Sequence, residues 1–185
     1  MRVVGSLVAL LALVALATAA REQGVLVDKS EIAFTMKQMG VKFDGRFRKW
    51  KADVVLEPQK LAASKAVFDV DLASIDLASA ESESEAQGRL WFDSARFPVA
   101  HFASTAIRDL GGGRYEIAGK LSIKGITRDC VVPVTVKTDA AGNRVAEGSF
   151  AIRRLDYKIG EGEWADTGTV DNDVLVHVRL VLPAA

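Results

Sequence analysis

Residues 115–125 read Y-E-I-A-G-K-L-S-I-K-G, and every second position from Tyr115 to Ile123 is apolar or glycine. The positions between them are mostly polar. This alternation is typical of a β-strand with one buried face, and the closing Lys124-Gly125 pair is typical of a tight turn. The stretch therefore predicts a strand that ends in a turn.

The same alternation recurs along most of the chain, at residues 32–36, 66–72 and 174–182. Turn-forming segments rich in glycine, asparagine and aspartate separate the apolar runs. Many strands joined by short turns predict an all-β fold, either a barrel or a sandwich. Pro133 lies inside one of these runs and cannot donate to a ladder, so its strand is expected to lie at an edge or to contain a bulge.

One stretch, residues 79–93, is rich in Ala, Glu, Gln and Leu and predicts a single short helix. Within it, Ser82 and Glu85 have the spacing of a capping box. One helix beside about eight to ten strands fits an antiparallel β-barrel better than an α/β fold. We expect one domain over residues 21–185, because no linker or internal repeat divides them.

Composition excludes several classes of protein. The 185 residues are 49% hydrophobic and carry 24 basic and 24 acidic side chains, which argues against a disordered chain and against a protein that coats nucleic acid. Cys130 is the only cysteine, so an intramolecular disulfide is excluded. We expect its thiol to be buried as a small strand residue.

The first twenty residues resemble a secretory signal peptide. Arg2 precedes an apolar run over residues 7–17, and small residues follow at 17–20. An uncleaved membrane anchor is the alternative, but the uninterrupted apolar part is shorter than the roughly 18 residues that span a bilayer. We therefore expect export to the periplasm and a mature chain that starts near Arg21.

Catalytic and metal-binding motifs are absent from the sequence. His101 and His177 have no partner at metal-ligand spacing, and we expect both to be hydrogen-bonded strand histidines. The glutamates at 81–85 have a spacing that spreads them around a helix, and the acidic residues at 166–173 match no calcium loop, so both groups are expected to be solvated. The sequence thus predicts a non-enzymatic protein that needs no cofactor or metal.

Basic and aromatic residues are interleaved over residues 37–51, a pattern that single-stranded nucleic acid can bind. The export signal and the balanced charge argue against that partner. A basic rim that makes transient contact with an anionic membrane surface is the better interpretation.

The chain also contains eight Phe and three Trp, several of them clustered over residues 91–102. A barrel of about eight strands can be filled by its own side chains or can hold one slim ligand. Composition leaves both alternatives open.

Taken together, several short motifs resemble the YceI-like polyisoprenoid-binding family. They are residues 28–34, the Met39-Gly40 pair with Gly45-Arg46-Phe47, residues 91–93 with Phe97-Pro98, residues 119–125 with Thr127-Arg128, and residues 150–164. The resemblance implies an extended, lipocalin-like antiparallel barrel that holds a long isoprenoid or related lipid, such as a polyprenyl or quinone tail. It also implies a periplasmic protein that forms a homodimer.

The ligand-binding residues that this reading predicts are mostly aromatic: Phe34, Gln38, Phe47, Phe68, Trp91, Phe92, Phe97, Phe102, Leu121, Phe150 and Trp164. Gln38 stands where many members have histidine, and an amide can hydrogen-bond but cannot take a charge. Two functions compete: a carrier or store of the lipid, and an enzyme or electron-transfer partner that acts on its head group. For the second, the only candidates are Arg153, Asp156, Tyr157 and Trp164, and we expect Arg153 and Asp156 to form an ion pair.

Overall fold

The computed structural model describes residues 24–184, so the predicted signal peptide lies outside the described residues. Ten antiparallel strands and one helix follow one another along the chain, with short 3-10 turns between some of them. The elements are β1 Glu31–Gln38, β2 Val41–Phe47, β3 Trp50–Val55, β4 Lys65–Asp71, β5 Ile75–Asp76, α1 Ala80–Gln87, β6 Val99–Gly111, β7 Arg114–Ile123, β8 Ile126–Thr138, β9 Arg144–Arg153 and β10 Asp173–Leu182.

All ten strands form one sheet in the order β3-β4-β6-β7-β8-β9-β10-β1-β2-β5. Two of the ladders in this sheet continue each other. The ladder between β2 and β5 ends where Phe47 lies opposite Ile75, and the ladder between β3 and β4 begins where Trp50 lies opposite Val70. Between these ladders the Arg48 amide donates to the Ser74 carbonyl, and the Asp71 amide donates to the Lys49 carbonyl, both at 3.0 Å. The sheet therefore closes on itself as a barrel. Because β2 continues into β3 and β4 continues into β5, the ten strands form eight staves of the barrel. The predicted antiparallel barrel is confirmed.

The barrel wall opens between β8 and β9. β8 pairs with β7 from Ile126 to Thr135, but it pairs with β9 only from Val134 onward. Pro133 is the last residue of β8 before the ladder with β9 begins. From Ile126 to Pro133, β8 is therefore paired with β7 alone. The missing amide donor at Pro133 is thus placed where the strand has an edge, as its sequence context predicts.

The helix is real but shorter than predicted. Ser79 is its N-cap and accepts a hydrogen bond from the Ser82 amide at 3.1 Å, and the helix ends at Gly88. Residues 88–93 form turns in which the Asp93 amide donates to the Gly88 carbonyl. The assignment of Ser82 as the cap was therefore wrong, because Ser79, three residues earlier, already satisfies the amide of Ser82.

Buried side chains form two clusters inside the barrel. The larger cluster contains Leu72, Ala100, Leu121, Ile123, Tyr157 and Ile159, and the smaller one contains Phe34, Ile75 and Ala86. Since Ala86 comes from α1, the helix packs against the inner face of the sheet near β1 and β5. Cys130 is half-buried beside the larger cluster, and burial raises the pKa of its thiol. The expectation of full burial for Cys130 was wrong.

No helix among residues 24–184 has both the length and the apolar character needed to cross a bilayer.

Candidate functional site

A cavity of about 430 Å³ lies inside the barrel, at the end covered by α1. Side chains from every strand except β3 and β8 line it, together with residues of α1, of the turn that follows the helix and of the segment between β9 and β10. Most of these side chains are apolar; the polar ones are Gln38, Glu81, Ser82, Glu85 and Arg154. The size and the apolar lining are those of a binding site for one hydrophobic molecule.

Eight of the eleven predicted binding residues line this cavity: Phe34, Gln38, Phe47, Trp91, Phe92, Leu121, Phe150 and Trp164. They come from distant parts of the sequence; five lie on strands, and Trp91, Phe92 and Trp164 lie in the segments that connect them. Their role in binding a ligand stays a prediction, but their convergence on one space is what such a role requires.

Phe68 and Phe102 lie elsewhere, deeper in the barrel. They are opposite each other on β4 and β6, with ring centroids 6.2 Å apart. Two residues away on the same face of each strand lies a cavity residue: Val70 beside Phe68 on β4, and Ala100 beside Phe102 on β6. The Phe102 ring covers Gly119 so closely that a methyl group there would overlap it. These two rings therefore fill the barrel below the cavity.

Phe97 also lies outside the cavity lining. Its ring packs against Gly125 in the β7–β8 turn, and the Arg96 guanidinium lies 5.1 Å from its centroid. Of the three clustered aromatic residues, Trp91 and Phe92 thus line the cavity and Phe97 does not.

Two aromatic groups shape the cavity wall. Phe47 contacts Phe34 at 5.7 Å and Phe92 at 6.1 Å between ring centroids, the latter edge to face. Trp91 lies 5.6 Å from Trp164. Aromatic pairs of this kind hold one another in place beyond the effect of burial alone. These contacts therefore hold both groups of rings in position before a ligand binds.

Gly45 is required by this arrangement. It lies opposite Phe34 in the β1–β2 ladder, and a methyl group at Gly45 would overlap both the Phe34 ring and the Leu77 side chain. Because Gly45 has no side chain, the Phe34 ring can lie across the barrel at this position of β2.

A buried cation borders the cavity, and sequence reasoning missed it. The Arg154 side chain is 1% exposed and donates to five backbone carbonyls, those of Ile159, Gly160, Trp164, Val170 and Asp171, at 2.7–3.0 Å. Burial lowers its pKa, and its guanidinium carbon lies 5.8 Å from the Trp91 ring centroid. Arg154 therefore organises residues 154–171 around itself and gives the cavity wall a positive charge that no carboxylate among residues 24–184 pairs with.

The predicted ion pair between Arg153 and Asp156 is not formed. Arg153 is exposed at the end of β9, and the Asp156 carbonyl accepts from Arg128 at 3.2 Å. Arg153 is the exposed last residue of β9, whereas Arg154 is the buried first residue of the 3-10 turn that follows, and sequence alone does not show which of the two neighbours is inside.

The two histidines lie on the outer face of the barrel. His101 is 2.7 Å from Asp69, and His177 is 2.9 Å from the Ser149 hydroxyl. The expectation of hydrogen-bonded strand histidines is confirmed. Within residues 24–184, no three His, Cys, Asp or Glu side chains converge as metal ligands would.

Tyr157 is a titratable side chain of the buried core. It is 3% exposed, and burial raises its pKa to about 12. It packs in the larger core cluster and does not line the cavity, so it holds its proton as a core residue.

This burial predicts a loss of stability at high pH. An unfolded tyrosine ionises near pH 10. Above that pH the unfolded state loses a proton that the folded state keeps, so the free energy of unfolding should fall as pH rises from about 10 to about 12. Urea unfolding of the wild type and of Tyr157→Phe over this range checks it. A wild-type slope equal to that of the variant would contradict the assignment.

Comparisons with known proteins agree with this geometry. The chain is 37% identical to BcnA of Burkholderia cenocepacia, whose crystal structure superposes with a TM-score of 0.82 and covers 86% of this chain and 99% of that one. A UPF0312 protein of Vibrio cholerae is 29% identical over 130 residues, which are 68% of this chain and 69% of its own length. Other UPF0312 proteins match over 55% to 58% of their own length.

A polyisoprenoid-binding domain of Saccharophagus degradans has the same fold, with a TM-score of 0.70 at 16% identity, over 87% of this chain and 97% of that domain. The family described as the YceI-like domain matches residues 25–182, which include every strand and the whole cavity. The chain therefore belongs to the YceI-like family.

Proposed function

We propose that this chain is an exported, non-enzymatic binding protein that holds a long isoprenoid or related lipid in its barrel, for carriage or storage. The observation that carries the proposal is the apolar cavity of about 430 Å³, in which aromatic side chains enclose the space and polar groups are few. The polyisoprenoid-binding domain that shares the fold supports this class of ligand.

A long tail suits the cavity better than a short one. Burial of one methylene contributes about 0.8 kcal/mol, whereas association costs an estimated 4 to 15 kcal/mol. About ten methylenes would thus only offset that cost, and several isoprene units exceed it. A polyprenyl or quinone tail satisfies this condition.

Catalysis on the head group has less support. The carboxylate of Glu85 accepts a hydrogen bond from the Trp164 indole at 3.0 Å, and all five N–H groups of Arg154 are directed at carbonyls. A general acid and base need free groups within reach of the same substrate atom. Glu85 and Arg154 therefore serve better to position a head group than to react with it.

Titration of the delipidated mature protein with quinones of increasing tail length tests the proposal. Affinity should rise with each added isoprene unit until the cavity is full and should then level off. Trp91 and Trp164 line the cavity and provide a fluorescence signal. An affinity that does not depend on tail length would contradict the proposal.

A matched pair of variants on α1 provides the control. Ala86 lines the cavity, and Ala80 is exposed on the same helix. Ala86→Leu should weaken binding of the longest tail, because it takes up cavity space, and Ala80→Leu should leave binding unchanged.

Export, dimer formation and membrane contact complete the proposal. A secreted chain should begin between residues 20 and 22, which intact-mass measurement of the periplasmic fraction would show; a retained Met1 would contradict export. Sedimentation equilibrium would distinguish the homodimer from a monomer.

A further inference from the structure

The hairpin tip, residues 37–42 between β1 and β2, combines features that a soluble turn usually avoids. Met39 and Gly40 both have positive φ, 49° and 77°, in a two-residue turn. Such turns favour Asn-Gly, because a positive φ strains residues that carry a Cβ, glycine has none, and asparagine tolerates this conformation better than most other residues. Yet this position holds a methionine whose side chain is 78% exposed. A large apolar group is thus held in water on backbone that does not favour it.

An apolar path leads from the hairpin tip into the cavity. Val41, Phe43 and Gly45 of β2 lie opposite Gln38, Met36 and Phe34 of β1, so all six share the inward face. Phe34, Met36, Gln38 and Phe43 line the cavity. Val41 continues the same face beyond the rim, with 70% of its surface exposed. The exposed apolar surface of the tip is therefore continuous with the interior.

The opposite face of the hairpin tip is cationic. Lys37 and Lys42 are exposed and lie directly opposite each other, and like charges in that position destabilise a strand pair. Neither ammonium takes part in an ion pair among the described residues. Two acidic side chains of this region have other partners: Asp44 accepts from the Thr35 hydroxyl, and Asp166 accepts from the Gly168 amide and the Thr169 hydroxyl. The Asp171 amide donates to the Lys37 carbonyl.

We propose that the hairpin tip docks this protein on an anionic lipid bilayer, with Met39 and Val41 inserted among the lipids and Lys37 and Lys42 against the head groups. The inference rests on the proposed lipid-binding function and specifies where the ligand enters. A tail that leaves the bilayer at Val41 meets Phe43 and Met36 next and reaches the cavity without crossing water. The two lysines supply charge complementarity to anionic head groups, each at close range.

Vesicle flotation of the delipidated mature protein tests the docking surface, with vesicles of phosphatidylglycerol and phosphatidylcholine beside vesicles of phosphatidylcholine alone. The wild type should bind the anionic vesicles. Met39→Asn should bind them about tenfold more weakly, because it removes an inserted apolar side chain. This variant creates the preferred Asn-Gly turn, so loss of folding does not explain the effect. Lys37→Gln and Lys42→Gln should each weaken binding about fivefold.

Leu110→Asn is the matched control. Leu110 is 52% exposed in the β6–β7 hairpin, which lies at the other end of the barrel. Equal vesicle binding by Met39→Asn and wild type, an equal loss in Leu110→Asn, or no binding of the wild type to anionic vesicles would overturn the proposal.

A ligand titration in buffer separates this proposal from the proposed function. Met39 is not part of the cavity lining, so Met39→Asn should bind a short-chain quinone in solution like the wild type. If the wild type binds vesicles through the hairpin tip but binds no quinone in solution, the proposed function fails and the docking surface stands.

Discussion

Replacement of Arg154 with leucine is expected to lower the free energy of unfolding by about 4 kcal/mol or more, the largest effect on stability that we predict. Five backbone carbonyls would lose their donor, and a buried polar group without a partner costs about 1–3 kcal/mol. Relief from burying an uncompensated charge offsets part of this cost. Urea unfolding monitored by circular dichroism measures the change.

Arg153→Leu is the control for Arg154→Leu, because Arg153 is the exposed neighbour. Its effect should stay within about 0.5 kcal/mol. Arg154→Lys should recover only part of the lost stability, since an ammonium has three donors and no planar fork. Near wild-type stability of Arg154→Leu would show that these carbonyl contacts do not hold residues 154–171 in place.

Truncation of Phe92 is expected to weaken ligand affinity about tenfold or more while changing the stability of the delipidated protein less. Phe92 lines the cavity, so its removal enlarges an existing space and deletes contacts with the ligand. Phe102→Ala should behave in the opposite way. That ring fills the barrel below the cavity, and its loss should cost about 3–5 kcal/mol of stability with affinity unchanged.

The two phenylalanine variants need two measurements each. Denaturant unfolding gives the stability of the delipidated proteins, and titration with a long-tailed quinone gives their affinity. If Phe92→Ala unfolds severely and the folded remainder keeps full affinity, Phe92 is a core residue and the site assignment is wrong. If Phe102→Ala loses affinity with little loss of stability, the cavity reaches deeper than the structure shows.

The fold was predictable because its determinants are local. Alternation over residues 115–123 and 174–182 places one apolar face on β7 and β10, and the turn at Lys124-Gly125 falls where both residues have positive φ. The merging of ten strands into eight staves was not predictable. It depends on hydrogen bonds between Lys49 and Asp71 and between Arg48 and Ser74, which no periodicity reveals.

The candidate site was predictable in part, for a related reason. Alternation shows that Phe68 and Val70 face inward, but it does not show depth, so Phe68 was included although only Val70 reaches the cavity. How far the cavity extends into the barrel depends on the strand register and on Phe102, whose ring occupies the space over Gly119. Arg154 was missed because its partners are backbone carbonyls of a later loop, and carbonyls carry no sequence signal.

Extraction of the protein with organic solvent, after purification from its own host, tests the central claim most directly. Mass spectrometry of the extract should show a lipid series whose masses differ by whole isoprene units, in near-equal amount to the protein. The same extract from Ala86→Leu should contain less of the longest members, because that side chain takes up cavity space. An extract without a stoichiometric lipid, or one with equal amounts of the same lipid from both proteins, would contradict the account.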